Sequence, residues 1–231
     1  MKLDRDGLPF IAIAALPSAW AVATGRRRTA LALGVLPAAV AAFFRDPDRL
    51  PDGEPTGDAD LVVAPADAKV MHVGEPEPGA APAGEWQQIS MFLSLADVHI
   101  NRSPYGGTVT EVTYRPGRYL AAFKAESGTE NERSEITVVR HVGDQERTVV
   151  FRQVVGLAAR RVVTRVAPGD VLHTGQRIGL MKFGSRMDVF VPPGVEILVT
   201  PGTKVKAGET PLARWPVAAA VGAVPLGTEL S

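Results

Sequence analysis

Hydrophobic and polar positions divide this chain into two unlike parts. Residues 8–24 form an uncharged, Ala-rich apolar run, residues 29–44 form a second, and Arg26, Arg27 and Arg28 stand between them. Neither run carries a polar face at helical spacing, so neither reads as an ordinary surface helix. A bilayer span needs about 20 apolar residues, with a floor near 17. Both runs sit near that floor, and Pro9, Pro17 and Pro37 interrupt them. The pattern predicts a two-helix membrane hairpin over residues 1–44. A signal peptide is the competing reading; Asp4 and Asp6 dilute its charged start, and a second apolar run follows at once. A shallow hairpin in one leaflet puts the arginine triplet at the headgroups and suits a cytoplasmic body. A full span would put the triplet on the opposite side, against the positive-inside rule.

From residue 60 onward the period changes to two. Short runs at 61–64, 86–93, 107–114, 136–140, 147–155 and 161–166 are mostly rich in β-branched or aromatic residues and separated by turn residues. Only 120–127 and 156–161 hint at helical turns. The expectation is a mainly β body, an antiparallel barrel or sandwich. Residues 166–178 (VAPGDVLHTGQRI) and 199–212 (VTPGTKVKAGETPL) share a V-x-P-G-x-x-(V/L)-x-x-G pattern. It predicts a pseudo-twofold pair of hairpins and resembles biotinyl and lipoyl carrier domains. The expected organisation is a membrane-associated hairpin (1–44), a charged, proline-broken linker (45–59), a β domain (60–215) and a C-terminal tail (216–231).

Composition narrows the chemistry. Acidic and basic residues balance at 25 each among 231, so the basic excess of a nucleic-acid binder is missing. With no cysteine, disulfides, thiol catalysis, zinc–thiolate and iron–sulfur sites are excluded. No metal site is called for.

The most informative segment is KFGSRMDVFVP, residues 182–192, where Gly184-Ser185 separates two apolar strands. Alone, Gly-Ser is a turn. With VVAPADAKV (62–70), ISMFLSLADVHINRSP (89–104) and TENERSEI (129–136) it becomes specific. These segments, with FFRDP and the N-terminal apolar element, occur in the order of the phosphatidylserine decarboxylase proenzymes, and the chain resembles their short bacterial and archaeal branch over nearly its whole length.

The resemblance implies self-cleavage between Gly184 and Ser185, giving a larger chain (1–184) and a smaller one (185–231). Ser185 would become a covalent pyruvoyl group, the electron sink for decarboxylating phosphatidylserine through a Schiff base with its amine. A serine hydroxyl needs a base, and the matching positions are His99, oriented by Asp67. Membrane lipid would be the other partner, and assembly into a homo-oligomer is open. Two departures stand out: Ala68 occupies a place that is commonly glycine, and Arg102 replaces a second histidine of the longer branch, where it could meet the substrate phosphate. Glu130, Asn131, Glu132 and Arg133 read either as a solvated turn or as a hydrogen-bonded element near the site. Arg160, Arg161 and Arg165 read as lipid contacts or as the polar face of a strand. The alternative function is a membrane-tethered carrier module with Lys182 or Lys69 as its attachment site.

Overall fold

The computed structural model describes residues 2–49, 58–157, 161–182 and 185–216. The chain opens with a two-residue strand, β1 (Lys2–Leu3), and a 3-10 turn. Then come α1 (Leu8–Ala23), α2 (Arg27–Leu33), α3 (Val35–Phe43) and β2 (Arg45–Asp46). Pro9 starts α1, where its missing N–H costs nothing. Gly34 separates α2 from α3, so the second apolar run is a broken helix. Small residues make the helix contacts: Ala14, Ala21 and Ala30 are buried, while Leu8, Ile13, Leu16, Trp20 and Leu31 face outward. Ser18 Oγ donates to the carbonyl of Ala30 at 2.9 Å. From Arg5 to Ala23 the helical segment is long and apolar enough to cross a membrane; at 1.5 Å per residue it spans about 28 Å.

The hairpin is fastened at both ends. β1 pairs with β2. Asp4 and Asp6 grip Arg165 of the body at 2.7 and 2.8 Å. Arg165, expected as a lipid contact or a polar strand face, is thus an internal latch. Residues 45–49, expected as linker, are a strap: Asp46 and Asp48 pair with Arg177, and Arg49 pairs with Asp67.

The body is mainly β. Its strands are β3 (Leu61–Val63), β4 (Ala68–Gly74), β5 (Gln87–Leu93), β6 (Ile100–Arg102), β7 (Gly107–Arg115), β8 (Arg133–Val142), β9 (Gln145–Val155), β10 (Val162–Thr164), β11 (Val171–Leu172), β12 (Arg177–Met181), β13 (Ser185–Val191), β14 (Glu196–Ile197), β15 (Lys204–Val205) and β16 (Pro211–Arg214), with a short helix α4 (Ser127–Glu130) before β8. Eight strands form one curled antiparallel sheet in the order β11-β7-β8-β9-β13-β5-β4-β15. Two three-stranded sheets, β10-β12-β6 and β14-β16-β3, complete the body. One apolar core runs through it, including Val62, Ile89, Met91, Ile136, Phe151, Met187, Val189 and Leu212.

The two P-G segments each supply a two-residue edge strand, β11 and β15, at opposite margins of the large sheet. The pairing establishes that much and no twofold sandwich. The helical turn expected at 120–127 falls later, as α4. Of 156–161, Gly156 and Leu157 are not helical and 158–160 lie outside the described residues; so does most of the expected tail. Ala68, where glycine was the common residue, opens β4 in extended backbone opposite Val205, so no left-handed conformation is demanded there.

Candidate active site

Three connections leave the large sheet for the β10-β12-β6 sheet at one corner. They run from β5 to β6, from β9 to β10, and between β12 and β13. Register brings them together. Ser185, first residue of β13, is opposite Leu93 and Val155, the last residues of β5 and β9. Met181, last residue of β12, is opposite Val162, and Leu180 is opposite Ile100. Gly179 allows this approach: its φ is +153°, and a Cβ there would lie 1.9 Å from the carbonyl oxygen of Val163.

Alternation along β13 points Ser185, Met187, Val189 and Val191 one way and Arg186, Asp188 and Phe190 the other. Ser185 is fully buried, and its Oγ has no hydrogen-bond partner among the described residues. An unpaired buried hydroxyl costs about 1–3 kcal/mol, so its retention calls for a reason other than stability. Gly184 and Phe183 lie outside the described residues.

His99 ends the connection that begins at Leu93. Its carbonyl accepts from the N–H of Met181 at 3.3 Å, which sets it beside the last residue of β12. Its ring is buried and packs on Phe43, the last residue of α3, with centroids 4.2 Å apart. Nδ1 lies 3.0 Å from the carbonyl oxygen of Asp97. A carbonyl only accepts, so Nδ1 carries the proton and Nε2 is the lone-pair nitrogen. Burial pushes the imidazole pKa down to about 4, against smaller upward pulls from the Asp97 carbonyl and the Asp97 and Asp67 charges. His99 is therefore a neutral base at physiological pH.

Asp67 is placed differently from the expectation. Its Oδ2 accepts from Arg49 at 2.6 Å and its Oδ1 from the N–H of Ala207 at 2.9 Å. It acts on His99 as a charge through space, and the orienting hydrogen bond comes from the Asp97 carbonyl instead. Arg102 also turns inward. It is buried, donates to the carbonyls of Gly175 and Pro47 at 2.9 Å each, and holds the strap rather than facing a ligand.

The Asn131–Arg133 segment is no solvated turn. Asn131 is fully buried; it accepts from the N–H of Leu120 and donates to the carbonyls of Leu120 and Val155. The Glu132 carbonyl accepts from the N–H of Val155, and its carboxylate accepts from the hydroxyl of Tyr119. Since Val155 is a register partner of Ser185, this segment clamps the same corner.

On the outer face of β13 lies a network that the sequence reading missed. Arg186 and Asp188 are both fully buried and pair at 2.7 Å. Arg186 also bonds Glu77 and, at 2.9 Å, Ser90 Oγ. Burial works against the guanidinium charge, but Asp188 and Glu77 outweigh it and hold the pKa above its usual value. A Cβ on Gly128 would come within 3.0 Å of Arg186. The signal was available: two opposite charges, two apart, inside an apolar strand must share one face.

A cleft of about 640 Å³, lined by residues including Glu75, Glu77, Trp86 and Pro193, is at the far end of β5. With Gln87 opposite Val191 and Leu93 opposite Ser185, that end is about 20 Å from Ser185 at strand rise. Neither expected carrier lysine sits on an exposed hairpin tip: Lys69 is inside β4, between Phe92 and Lys204, and Lys182 Nζ lies 5.0 Å from the Phe10 ring centroid.

Comparison with known proteins gives a consistent picture. A family model described as phosphatidylserine decarboxylase matches residues 36–213. A phosphatidylserine decarboxylase proenzyme of Solibacter usitatus is 46% identical over 173 residues, 74% of this chain and 76% of that protein. Proenzymes of the same name from Symbiobacterium thermophilum and Syntrophus aciditrophicus are 44% and 39% identical; they cover 93% and 91% of this chain and 96% of their own length.

Proposed function

The chain belongs to the phosphatidylserine decarboxylase family, a family of enzymes, and from that premise we propose that it is a self-processing, pyruvoyl-dependent decarboxylase that converts phosphatidylserine to phosphatidylethanolamine and CO2 at a membrane surface. The observation that carries this reading is the buried, unpartnered hydroxyl of Ser185 at a corner shared with a neutral, tautomer-fixed His99.

In this reading His99 Nε2 takes the proton of Ser185 Oγ as the oxygen attacks the carbonyl carbon of Gly184. The peptide C–N bond breaks, an ester forms, and the proton passes to the released amine of residue 185. Loss of the α-proton of residue 185 then breaks its Cβ–O bond and frees the carboxylate of Gly184. The dehydroalanine left behind tautomerises, adds water and loses ammonia to give the pyruvoyl group. The apolar surroundings of Met181 and Phe43 suit these steps by excluding bulk water, which would hydrolyse the ester early.

The unpaired Ser185 hydroxyl and its burial fit a residue that is consumed rather than one that stabilises. A pyruvoyl group supplies a ketone that takes up the electron pair left when CO2 departs. In this reading His99 also returns a proton to the headgroup Cα. It is deprotonated in this form; a substrate carboxylate or phosphate nearby would raise its pKa and let it act as an acid. Asp67 adds to that upward pull.

Membrane action is supported by the outward-facing apolar side chains of the hairpin. Leu95 and Leu157, which are exposed on two of the three connections at the Ser185 corner, add to this. The hairpin roots on the site itself, through Phe43 on His99.

The test is intact-mass measurement of the purified chain. Two polypeptides, with a carbonyl in place of the amine of residue 185, are expected, and Ser185→Ala should remain one polypeptide at its full uncut mass. A wild-type chain that decarboxylates phosphatidylserine while still one polypeptide would overturn the reading.

A further inference from the structure

A second feature lies on the hairpin side of the same corner. A polar cleft of about 350 Å³ is lined by Asp6, Arg161, Val162, Val163, Thr164 and Lys182. It spans the foot of the hairpin and the β10 edge. Val162 is the register partner of Met181, so the cleft opens beside the connection that leads to Ser185.

The charges around it are unusual for this chain. Elsewhere in the body the arginines that line up near carboxylates are neutralised: Arg49 by Asp67, Arg152 by Glu135, Arg177 by Asp46 and Arg186 by Asp188. Arg161 and Lys182 have no carboxylate partner among the described residues. The acid in the lining, Asp6, is already committed to Arg165, which Asp4 grips as well. The lining thus carries two cations and one carboxylate that is already paired, in a chain whose acidic and basic residues balance overall. The ammonium of Lys182 lies over the Phe10 ring, 5.0 Å from its centroid, at the level where the apolar hairpin meets the charged body. An ammonium held over an aromatic ring keeps its charge, and at such a boundary it can still donate to a lipid phosphate.

The geometry points to this cleft as the phosphate subsite, with Arg161 and Lys182 binding the phosphodiester of the lipid headgroup. This assignment rests on the function proposed above and specifies its substrate class: a phosphodiester of serine rather than the free amino acid. The guanidinium of Arg161 offers paired donors to two phosphate oxygens, and Lys182 offers a point charge. In a serine phospholipid the phosphate is a few bonds from the amine that must reach position 185. Anchoring it one connection away turns an encounter at a surface into a fixed approach. It also keeps the cations on the phosphate and away from the carboxylate, whose charge must be lost.

The test uses the full-length chain in neutral detergent, carrying Ser185→Ala so that binding is read without turnover. Calorimetric titration with glycerophosphoserine should give an affinity that falls about tenfold in Arg161→Gln and in Lys182→Gln, and further in the double variant. Lys182→Arg should retain most of the affinity, and free serine should bind none of these chains measurably. Inorganic phosphate separates the two sources of the chemistry. Competition with glycerophosphoserine means that a phosphoryl group alone is read. Failure to compete means that the diester within a headgroup is required, and either pattern should disappear in the double variant. Unchanged glycerophosphoserine affinity in the double variant would overturn the assignment. Failure of the parent reading looks different: the chain without the Ser185 substitution would stay uncut and release no CO2, while the dependence of binding on Arg161 and Lys182 persisted.

Discussion

His99 donates its Nδ1 proton to the carbonyl oxygen of Asp97 at 3.0 Å, and that one contact decides which ring nitrogen can act as a base. Burial has pushed the imidazole pKa down to about 4 from an ordinary 6.5. Two consequences follow for pH. Self-cleavage should hold its rate from neutral pH down to about pH 5 and fall only as the pH drops through 4, where an exposed histidine would already have failed near 6.5. Stability moves the same way. A depressed folded pKa gives stability that is fully present above 6.5 and is lost as pH falls towards 4, because the unfolded chain takes the proton first. Thermal melts of Ser185→Ala and of Ser185→Ala with His99→Gln, between pH 4 and 7, should show the loss in the first and a shallower loss in the second.

Arg186 should be among the most costly residues to truncate. Arg186→Met leaves the buried carboxylate of Asp188 and the half-buried one of Glu77 without their cation, a change that typically costs about 3–5 kcal/mol. The companion change Asp188→Asn in the same chain should recover part of that loss, since it removes one stranded charge. Urea denaturation of the uncut Ser185→Ala chain checks both. Gly128→Ala should destabilise by about 1–3 kcal/mol, because its Cβ meets the guanidinium at 3.0 Å and the Asp188 carboxylate at 3.4 Å.

These residues show where the sequence is readable and where it is not. Strands such as β5 and β7 follow from alternation, since one side of each must face the core. The start of β8 does not, because Arg133 and Glu135 look like loop residues until Glu135 is seen to pair with Arg152 on β9. The apolar runs announced the hairpin, but its latch to Arg165 joins residues 159 and 161 positions apart, and no local pattern encodes such a partner. Ser185 and His99 were legible as motif positions. The identity of the group that orients His99 was not, since a backbone carbonyl leaves no mark in the sequence. Asp67 shows the same limit: its residue type was readable, while its engagement by Arg49 depended on how the strap folds back.

Phe43 should control the titration of His99. Its ring covers the imidazole with centroids 4.2 Å apart. Phe43→Ala opens that face to water, weakens the burial effect and should move the His99 pKa upward towards 6.5. The value can be followed by NMR titration of histidine-labelled Ser185→Ala chain. A drop in stability of about 3–5 kcal/mol should accompany it, and lipid binding to the hairpin should partly restore the stability.

Removal of residues 1–44 should do more than release the chain from a membrane. The deleted stretch carries Phe43, which packs on His99, and Phe44, which is buried against the same cluster as Val98 and Ile100. It also carries Asp4, whose carboxylate is almost fully buried and holds Arg165 in a bidentate pair. Cutting there exposes the imidazole, frees Arg165 and leaves β2 without β1. The truncated chain should therefore process slowly or not at all, even in detergent where no membrane is needed. Substitutions confined to the outward face, such as Ile13→Ser with Leu16→Ser, touch none of those contacts and should weaken vesicle binding while leaving self-cleavage at its normal rate. Vesicle sedimentation and denaturing gels on the two variants separate anchoring from support of the site. Normal processing by the truncated chain would show that the hairpin is an anchor alone.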